Sequence, residues 1–287
     1  MLPYLDLGFV KISLYEPLFF AGFLLAFFLV LKVSGSIGLS RRNTVMAGIY
    51  GLVGILIGAK LVYFFVKLPE VLNDVSDFNT WIKNDTFGAL EFLFGGMVYY
   101  GGLIGFCMGI CLFSKRFLFN RLNILDLFAP FIPLAHAFGR LGCFCEGCCY
   151  GVKYNGFLSV TYPENPLHPE VSNVARFPVQ LLEAGLNLLC FILLYKLLQK
   201  EMKTPVKERR FKQGQLIGIY FAYYTVARFL LELLRGDDVR GSIGIFSTSQ
   251  FISILMVPIT AYLLRARMSK PVFFVAHPEE EKFFEEK

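Results

Sequence analysis

The residues of this chain best suited to chemistry are arginines in places where arginine is costly. Arg228 lies inside an apolar run, Tyr224-Thr-Val-Ala-Arg228-Phe-Leu-Leu-Glu232-Leu-Leu-Arg235. Tyr224, Arg228, Glu232 and Arg235 recur at spacings of four, four and three, which places them on one helical face. A second apolar run contains His136-Ala-Phe-Gly139-Arg140-Leu-Gly142. His136 and Arg140 share a face by the same spacing, Gly139 and Gly142 permit close approach, and Pro130 and Pro133 predict a kink upstream. An ionisable group at bilayer depth normally faces a polar cavity and has a partner. Glu232 neutralises one guanidinium and leaves a net positive stripe. Three guanidiniums from two helices at one depth offer planar forks of donors to phosphoryl oxygens. A phosphate at that depth suggests a phospholipid headgroup. Blander readings are a structural interhelix ion pair, a packed histidine at His136, and snorkelling of Arg235 to the membrane surface.

Two other clusters accompany the arginines. Gly95-Gly96-Met97-Val98-Tyr99-Tyr100-Gly101-Gly102 opens an apolar run, and glycines at a helix start let backbone N–H groups approach an anion. Gly pairs are also common in membrane helices. The segment Cys143-Phe-Cys145-Glu-Gly-Cys148-Cys149-Tyr-Gly151 holds four cysteines in close succession. Cys145-x-x-Cys148 has disulfide or metal-ligand spacing. A loop staple, thiol or metal chemistry, and reduced packing residues are its three readings. Cys107, Cys111 and Cys190 fall inside apolar runs and read as small packing residues.

The elements that must carry these residues follow from composition. Of 287 residues, 55% are hydrophobic and 17% charged, which excludes a disordered chain and disfavours a soluble domain. A hydrocarbon core of about 30 Å needs roughly 20 apolar residues as helix. Seven runs approach this, at about Pro17–Leu31, Val45–Val66, Phe92–Phe113, Leu122–Gly142, Pro178–Tyr195, Gln215–Arg235 and Phe246–Leu264. Met1–Leu14 is amphipathic and lacks the features of a cleaved leader, so it reads as an interfacial segment before a retained first span.

Basic residues alternate between the connecting segments. Lys32, Arg41, Arg42, Lys115, Arg116, Arg121, the Lys196–Lys212 group, Arg265, Arg267 and Lys270 fall on one side. Only Lys11, Lys67, Lys83, Lys153, Arg176 and Arg240 fall on the other. The positive-inside rule then puts the N-terminus outside and the C-terminus in the cytoplasm. The expectation is an all-α integral membrane protein of seven transmembrane helices. One domain covers residues 1–270, with outer-face loops at about 67–91 and 143–177 capping a central cavity. Residues 271–287 form an acidic cytoplasmic tail. The net charge of +6 has this membrane explanation, and no basic patch interleaved with aromatics argues for nucleic acid.

With these residues in place, the chain resembles the prolipoprotein diacylglyceryl transferase family of bacteria. The likeness lies in Gly139-Arg140-Leu-Gly142-Cys-Phe144 continuing to Gly151, in Tyr99-Tyr100-Gly101-Gly102-Leu-Ile-Gly105, and in Arg176-Phe-Pro-Val-Gln180-Leu-Leu-Glu183. It lies also in the Tyr224–Arg235 face and in Ser247 and Gln250, and it runs in order from about Leu14 to Arg267.

The resemblance implies a multi-pass enzyme of the bacterial cytoplasmic (inner) membrane. Such an enzyme transfers the diacylglyceryl group of phosphatidylglycerol to the lipobox cysteine thiol of a preprolipoprotein and releases glycerol phosphate, with no metal or cofactor. Arg140 and Arg228 carry over as the essential phosphate-site residues, Glu232 as the orienter of both, and Arg235 as a further contact. Tyr224, Gly101, Gly102, Gly142, Cys143, Gly151, Gln180, Glu183 and Lys60 carry over as substrate-site positions.

Three departures bear on this. Tyr100 stands where the family commonly has His, which makes Tyr100 or His136 the candidate base; Cys143 replaces an Asn; Lys60 replaces an Arg. Cys145, Cys148 and Cys149 are the candidate disulfide or thiol cluster of a cysteine-rich branch. The alternatives to lipid transfer are thiol, redox or metal chemistry at that cluster on the same scaffold, and a non-catalytic lipid-binding membrane protein.

Overall fold

The computed structural model describes residues 4–6, 11–164, 168–237, 242–243, 245–265 and 270–273. Arg240 and Arg267, counted above among the loop charges, lie outside the described residues, as does the acidic stretch 274–287. In chain order the elements are β1 (Tyr4–Asp6), β2 (Lys11–Ser13), α1 (Tyr15–Ser34), α2 (Arg41–Asn73), α3 (Val75–Asn84), α4 (Thr86–Phe94), α5 (Tyr99–Phe117), α6 (Arg121–Phe128) and α7 (Phe131–Glu146). Then come β3 (Val160–Thr161), β4 (Ala175–Arg176), α8 (Val179–Lys203), α9 (Gln215–Glu232), β5 (Ser242–Ile243), β6 (Phe246–Ser247) and α10 (Thr248–Arg265). The strands form three short antiparallel pairs, β1 with β2, β3 with β4, and β5 with β6. Among the described residues the remaining elements are helices, joined by turns and by the long loop that follows α7.

Four helices, α1 (continued to Ile37), α2, α8 and α10, are long and apolar enough to cross a membrane. The number rises to six if α4 with α5, and α6 with α7, each count as one broken span. The exposure pattern fits lipid as solvent: Phe20, Leu24, Leu56, Phe65, Met108, Leu112, Leu193 and Leu255 are exposed, whereas His136, Arg140, Gln180, Glu183, Asn187 and Arg228 are buried. At about 1.5 Å per residue the 33-residue α2 is about 50 Å long, so its last turns continue past a hydrocarbon core.

This corrects the reading of residues 67–91 as a loop. They are the end of α2, all of α3 and the start of α4. The polar composition that looked like a loop is that of an amphipathic helix, with Phe78 and Trp81 meeting edge to face.

The chain forms two compact units, and the division falls within α6. In the unit of residues 40–125, α2 packs on α5 along a seam of glycines. A Cβ on Gly105 would come within 2.0 Å of Gly54 O, and one on Gly101 within 2.4 Å of Gly58 O. Such close backbone approach is what small residues at four-residue spacing provide in membranes. Gly101 is therefore a helix-packing residue, and Gly102 N–H donates to Val98 O inside the helix. The Gly102 N–H is thus already engaged and is not the donor that an anion at this turn would use. Lys60 Nζ donates to Phe94 O at the end of α4, and Tyr100 is buried in the same unit. The break between α4 and α5 is a 72° bend at the Gly95-Gly96 pair.

In the other unit, residues 1–39 and 126–287, α1 packs on α7, α7 on α8, α8 on α9 and α9 on α10. Asp126 fixes the start of α9: its carboxylate accepts from Gly214 N at 2.6 Å and from Ile217 N at 2.9 Å. That is a helix N-terminus capped from another segment. Ser247 and Gln250 form a reciprocal cap on α10. Gln250 N donates to Ser247 Oγ at 3.2 Å and Ser247 N to Gln250 Oε1 at 3.1 Å.

The packed structure also runs past the boundary expected at residue 270. Val272 N donates to Phe211 O at 2.9 Å, and Val272 and Phe273 are buried. The tail thus begins as an anchored segment rather than a solvated one.

Gly105→Val is expected to destabilise the detergent-solubilised protein by about 1–3 kcal/mol, as overpacking does. Gly185→Ala, where an added Cβ meets nothing within 4 Å, is expected to be neutral or stabilising by up to about 1 kcal/mol. Thermal melting of the two variants against the parent checks both.

Candidate functional site

The site is built from the C-terminal parts of α7 and α9, the N-terminal part of α8 and the loop that follows α7, all within one unit. His136 and Arg140 lie one turn apart on α7, Glu183 lies on the first turns of α8, and Arg228 and Glu232 lie on the last turns of α9. Arg140, Arg228, Glu183 and His136 are all buried, with Arg228 and Glu183 each only 2% exposed. Burying such charges is tolerable only with paired geometry and satisfied hydrogen bonds.

Each guanidinium has its own carboxylate. Arg140 Nε lies 3.0 Å from Glu183 Oε2 and also donates to His136 Nε2 at 3.2 Å. The other Glu183 oxygen lies 3.5 Å from His136 Nε2. Arg228 Nη2 lies 2.5 Å from Glu232 Oε2, and its directional hydrogen bond goes to Ser249 Oγ at 2.9 Å. Arg235 is clamped in a bidentate pair with Asp237, at 2.8 and 2.9 Å. Arg140, His136, Arg228 and Arg235 all act electrostatically on Glu183, and among the described residues only Arg140 and His136 lie within ion-pair distance of it.

Two expectations are corrected here. Glu232 orients Arg228 alone, because Arg140 takes its partner from α8. The stripe also carries no net positive charge: Glu183, Glu232 and Asp237 balance the three arginines among the described residues. What distinguishes the site is a surplus of donors. A guanidinium has five N–H groups and a carboxylate engages at most two. Arg228 Nη1 and Arg235 Nη1 are buried without a hydrogen-bond partner among the described residues. Buried N–H groups on cations are placed to receive an oxyanion.

His136 shows the same economy. A guanidinium N–H aimed at Nε2 requires a lone pair there, so that nitrogen is an acceptor held by Arg140 and is not available to take a substrate proton. The ring meets Tyr224 edge to face at 5.5 Å, and Tyr224 stacks on Tyr220 at 6.1 Å. Tyr224 therefore forms the wall of the site.

The loop after α7 frames the cluster. Gly147, with φ of 85°, ends α7. Gln180 Nε2 then holds the chain by donating to Cys148 O at 2.8 Å and to Tyr162 Oη at 2.9 Å. Burial pushes the Tyr162 phenol up to about 12, which keeps it a neutral hydroxyl. Gly151 runs so close to its neighbours that a Cβ would come within 2.3 Å of Phe177 O and 3.0 Å of Leu234 O. Its backbone pairs with Arg235, and Val152 N donates to Leu234 O at 3.0 Å. Gln180 and Gly151 thus position Arg235 through the backbone. Arg176 completes the frame, donating to Gly151 O and Glu170 O and lying over the Tyr150 ring at 4.1 Å. Gly142 serves packing: its missing Cβ makes room for Tyr15 at 3.0 Å.

The cysteines divide differently from their spacing. All seven are free, and the Sγ atoms of Cys143, Cys148 and Cys149 lie within 4.8 Å of one another. Cys145 is outside this group, which corrects the Cys145–Cys148 expectation. Two residues beyond Cys143 on a helix point to another side, whereas the left-handed turn at Gly147 brings Cys148 and Cys149 back.

Sequence reasoning missed Asp237 and Ser249. Asp237 sat in an unremarkable Gly-Asp-Asp stretch. Ser249 lies two residues beyond β6, on the first turn of α10, where nothing marks it but its nearness to Ser247 and Gln250.

Residues 3–266 match the family described as Prolipoprotein diacylglyceryl transferase. A Clostridium tetani protein named phosphatidylglycerol–prolipoprotein diacylglyceryl transferase is 32% identical over 254 residues, covering 88% of this chain and 92% of the relative. One from Clostridium perfringens, whose name adds the number 2, is 32% identical over 250 residues, covering 86% and 88%. One from Rickettsia bellii is 29% identical over 260 residues, covering 88% and 89%.

Glu183→Gln leaves the buried Arg140 without a counter-charge and is expected to destabilise the protein by about 3–5 kcal/mol. Denaturation of the variant in detergent measures this. A loss below about 1 kcal/mol would mean that the Arg140–Glu183 pair is not the one that holds the site.

Proposed function

The chain belongs to the prolipoprotein diacylglyceryl transferase family, and on that premise we propose that it transfers the diacylglyceryl group of phosphatidylglycerol to the lipobox cysteine of a preprolipoprotein. The observation that carries this reading is the pair of buried, partner-free N–H groups on Arg228 and Arg235 beside the Arg140–Glu183 pair.

In the reaction the acceptor thiolate sulfur attacks the glyceryl carbon that bears the phosphate ester oxygen. The C–O bond breaks, a C–S thioether bond forms, and glycerol phosphate leaves with the bonding electrons. Charge grows on the leaving phosphate as the bond breaks. Donors already in place stabilise that charge without reorganisation. Arg228 and Arg235 supply the free N–H groups, Arg140 contributes its field, and Glu183, Glu232 and Asp237 hold the forks in orientation. We assign His136 to positioning Arg140 and Tyr224 to the wall of the site. Tyr100 is the sequence candidate for taking the thiol proton.

The same reading sets the protein in the bacterial cytoplasmic membrane with seven spans, its N-terminus outside and its C-terminus in the cytoplasm. Here α9, sixth in chain order, is added to the six spans that length and hydropathy allow, although Arg228, Glu232 and its tyrosines lower its hydropathy. The alternation of basic residues between the connecting segments supports that direction. Phosphatidylglycerol then reaches the site laterally from the outer leaflet.

The test offers purified protein labelled phosphatidylglycerol and a lipobox peptide and looks for the thioether-linked lipid by mass. Product is expected with the parent chain. Arg140→Ala and Arg228→Ala should lower its rate by about 10²–10³-fold or more, as loss of a charge-stabilising donor does. Arg228→Lys should not restore it, because lysine lacks the planar fork. Absence of product with the parent, or an unimpaired Arg228→Ala, contradicts the reading.

A further inference from the structure

The thiols at the end of α7 take no part in the proposed transfer. Cys143 lies on the last turn of α7, Cys148 follows the left-handed Gly147, and Cys149 itself has φ of 58°, a conformation few non-glycine residues adopt. The backbone there is held independently by the Gln180 bond to Cys148 O and by the pairing of Gly151 with Arg235. The result is three sulfurs within 4.8 Å of one another on a rigid frame.

We propose that Cys143, Cys148 and Cys149 form a binding site for a single thiophilic d10 metal ion, Zn(II) or Cu(I). With metal–sulfur bonds of about 2.3 Å, three thiolates around one ion stand about 3.8–4.0 Å apart. The observed cluster needs to contract by about 1 Å or less to reach that spacing. The donor set is all sulfur, which selects zinc or cuprous ion over calcium or magnesium. The complex would carry a negative charge close to guanidiniums that are already paired with carboxylates. Three thiolates around Zn(II) leave one negative charge, and around Cu(I) two. Arg140 acts electrostatically on Cys143 and Cys149, and Arg235 on Cys149.

Without an ion the sulfurs are thiols. Binding therefore exchanges three S–H protons for the ion: three thiols and one metal ion give one tris-thiolate complex and three released protons, with no electron transferred. The bound ion ties the end of α7 to the loop that pairs with Leu234 and Arg235, so it fastens two of the segments that carry the arginines.

The experiment uses the full chain, purified anaerobically in detergent and freed of reductant. Zn(II) or Cu(I) is added in separate arms, excess is removed, and retained metal and released protons are measured. Co(II) substitution adds a sulfur-to-metal charge-transfer band as a second readout. The parent is expected to retain a single ion of at least one kind per chain and to show the band. Cys143→Ser, Cys148→Ser and Cys149→Ser should each lose both, while Cys145→Ser keeps them. Thermal melting of the serine variants identifies any that fail to fold, and the parent measurement stands without them. No retained ion in either arm, retention unaffected by all three folded variants, or equal loss in Cys145→Ser overturns the proposal. So does peptide mapping that finds two of the three joined as a disulfide in the protein as isolated. None of these results bears on lipid transfer, which is assayed separately.

Discussion

The constraint on which this structure depends is electrostatic. Three guanidiniums lie inside a helical bundle whose outer surface is apolar, and each must be compensated where it sits. Lipid outside supplies no counter-charge, so compensation comes from Glu183, Glu232 and Asp237, on three different segments of the chain. Pairing in this way cancels charge without exhausting hydrogen-bonding capacity. The leftover N–H groups on Arg228 and Arg235 face a low-dielectric interior, where an unmade hydrogen bond is expensive. A phosphate group of a lipid, arriving with its own charge and several oxygens, satisfies those donors. It also supplies a site for leaving-group charge to develop.

Much of the surrounding architecture reads as support for that arrangement. Asp126 fixes the start of α9 and so the axis along which Arg228 and Glu232 are carried. Gln180, one turn before Glu183 on α8, anchors the loop that passes beside Arg235. Arg176 and Tyr150 brace that loop from its far side. Three of the motifs that suggest the family therefore serve one another: α8 supplies the carboxylate for α7, and the loop after α7 positions the end of α9. The cysteines occupy the junction, which is where a metal crosslink would have most leverage on the loop.

The legible part of the fold was the part written in local periodicity. Apolar runs locate the long helices, and the four-residue spacing places Arg228 and Glu232 on one face, whereas Arg235 lies beyond the end of α9 at Glu232. Spacing along one helix cannot reveal a partner on another. Glu183 was found as a motif residue without its bond to Arg140, and Asp237 was not found because its role depends on a chain reversal after α9. Composition misled at residues 67–91, where polarity marks an amphipathic helix as readily as a loop. It is silent at Gly101 on the close contact that this glycine makes with α2. In the cysteine segment a two-residue motif drew attention to Cys145, while the left-handed turn at Gly147 selected Cys143.

The most direct test of this account is an experimental structure with phosphatidylglycerol or glycerol 1-phosphate bound. The account predicts phosphoryl oxygens within hydrogen-bond distance of Arg228 Nη1 and Arg235 Nη1, with Glu183 still paired to Arg140. A phosphate bound elsewhere, or those two nitrogens already satisfied by protein groups in the complex, would contradict it.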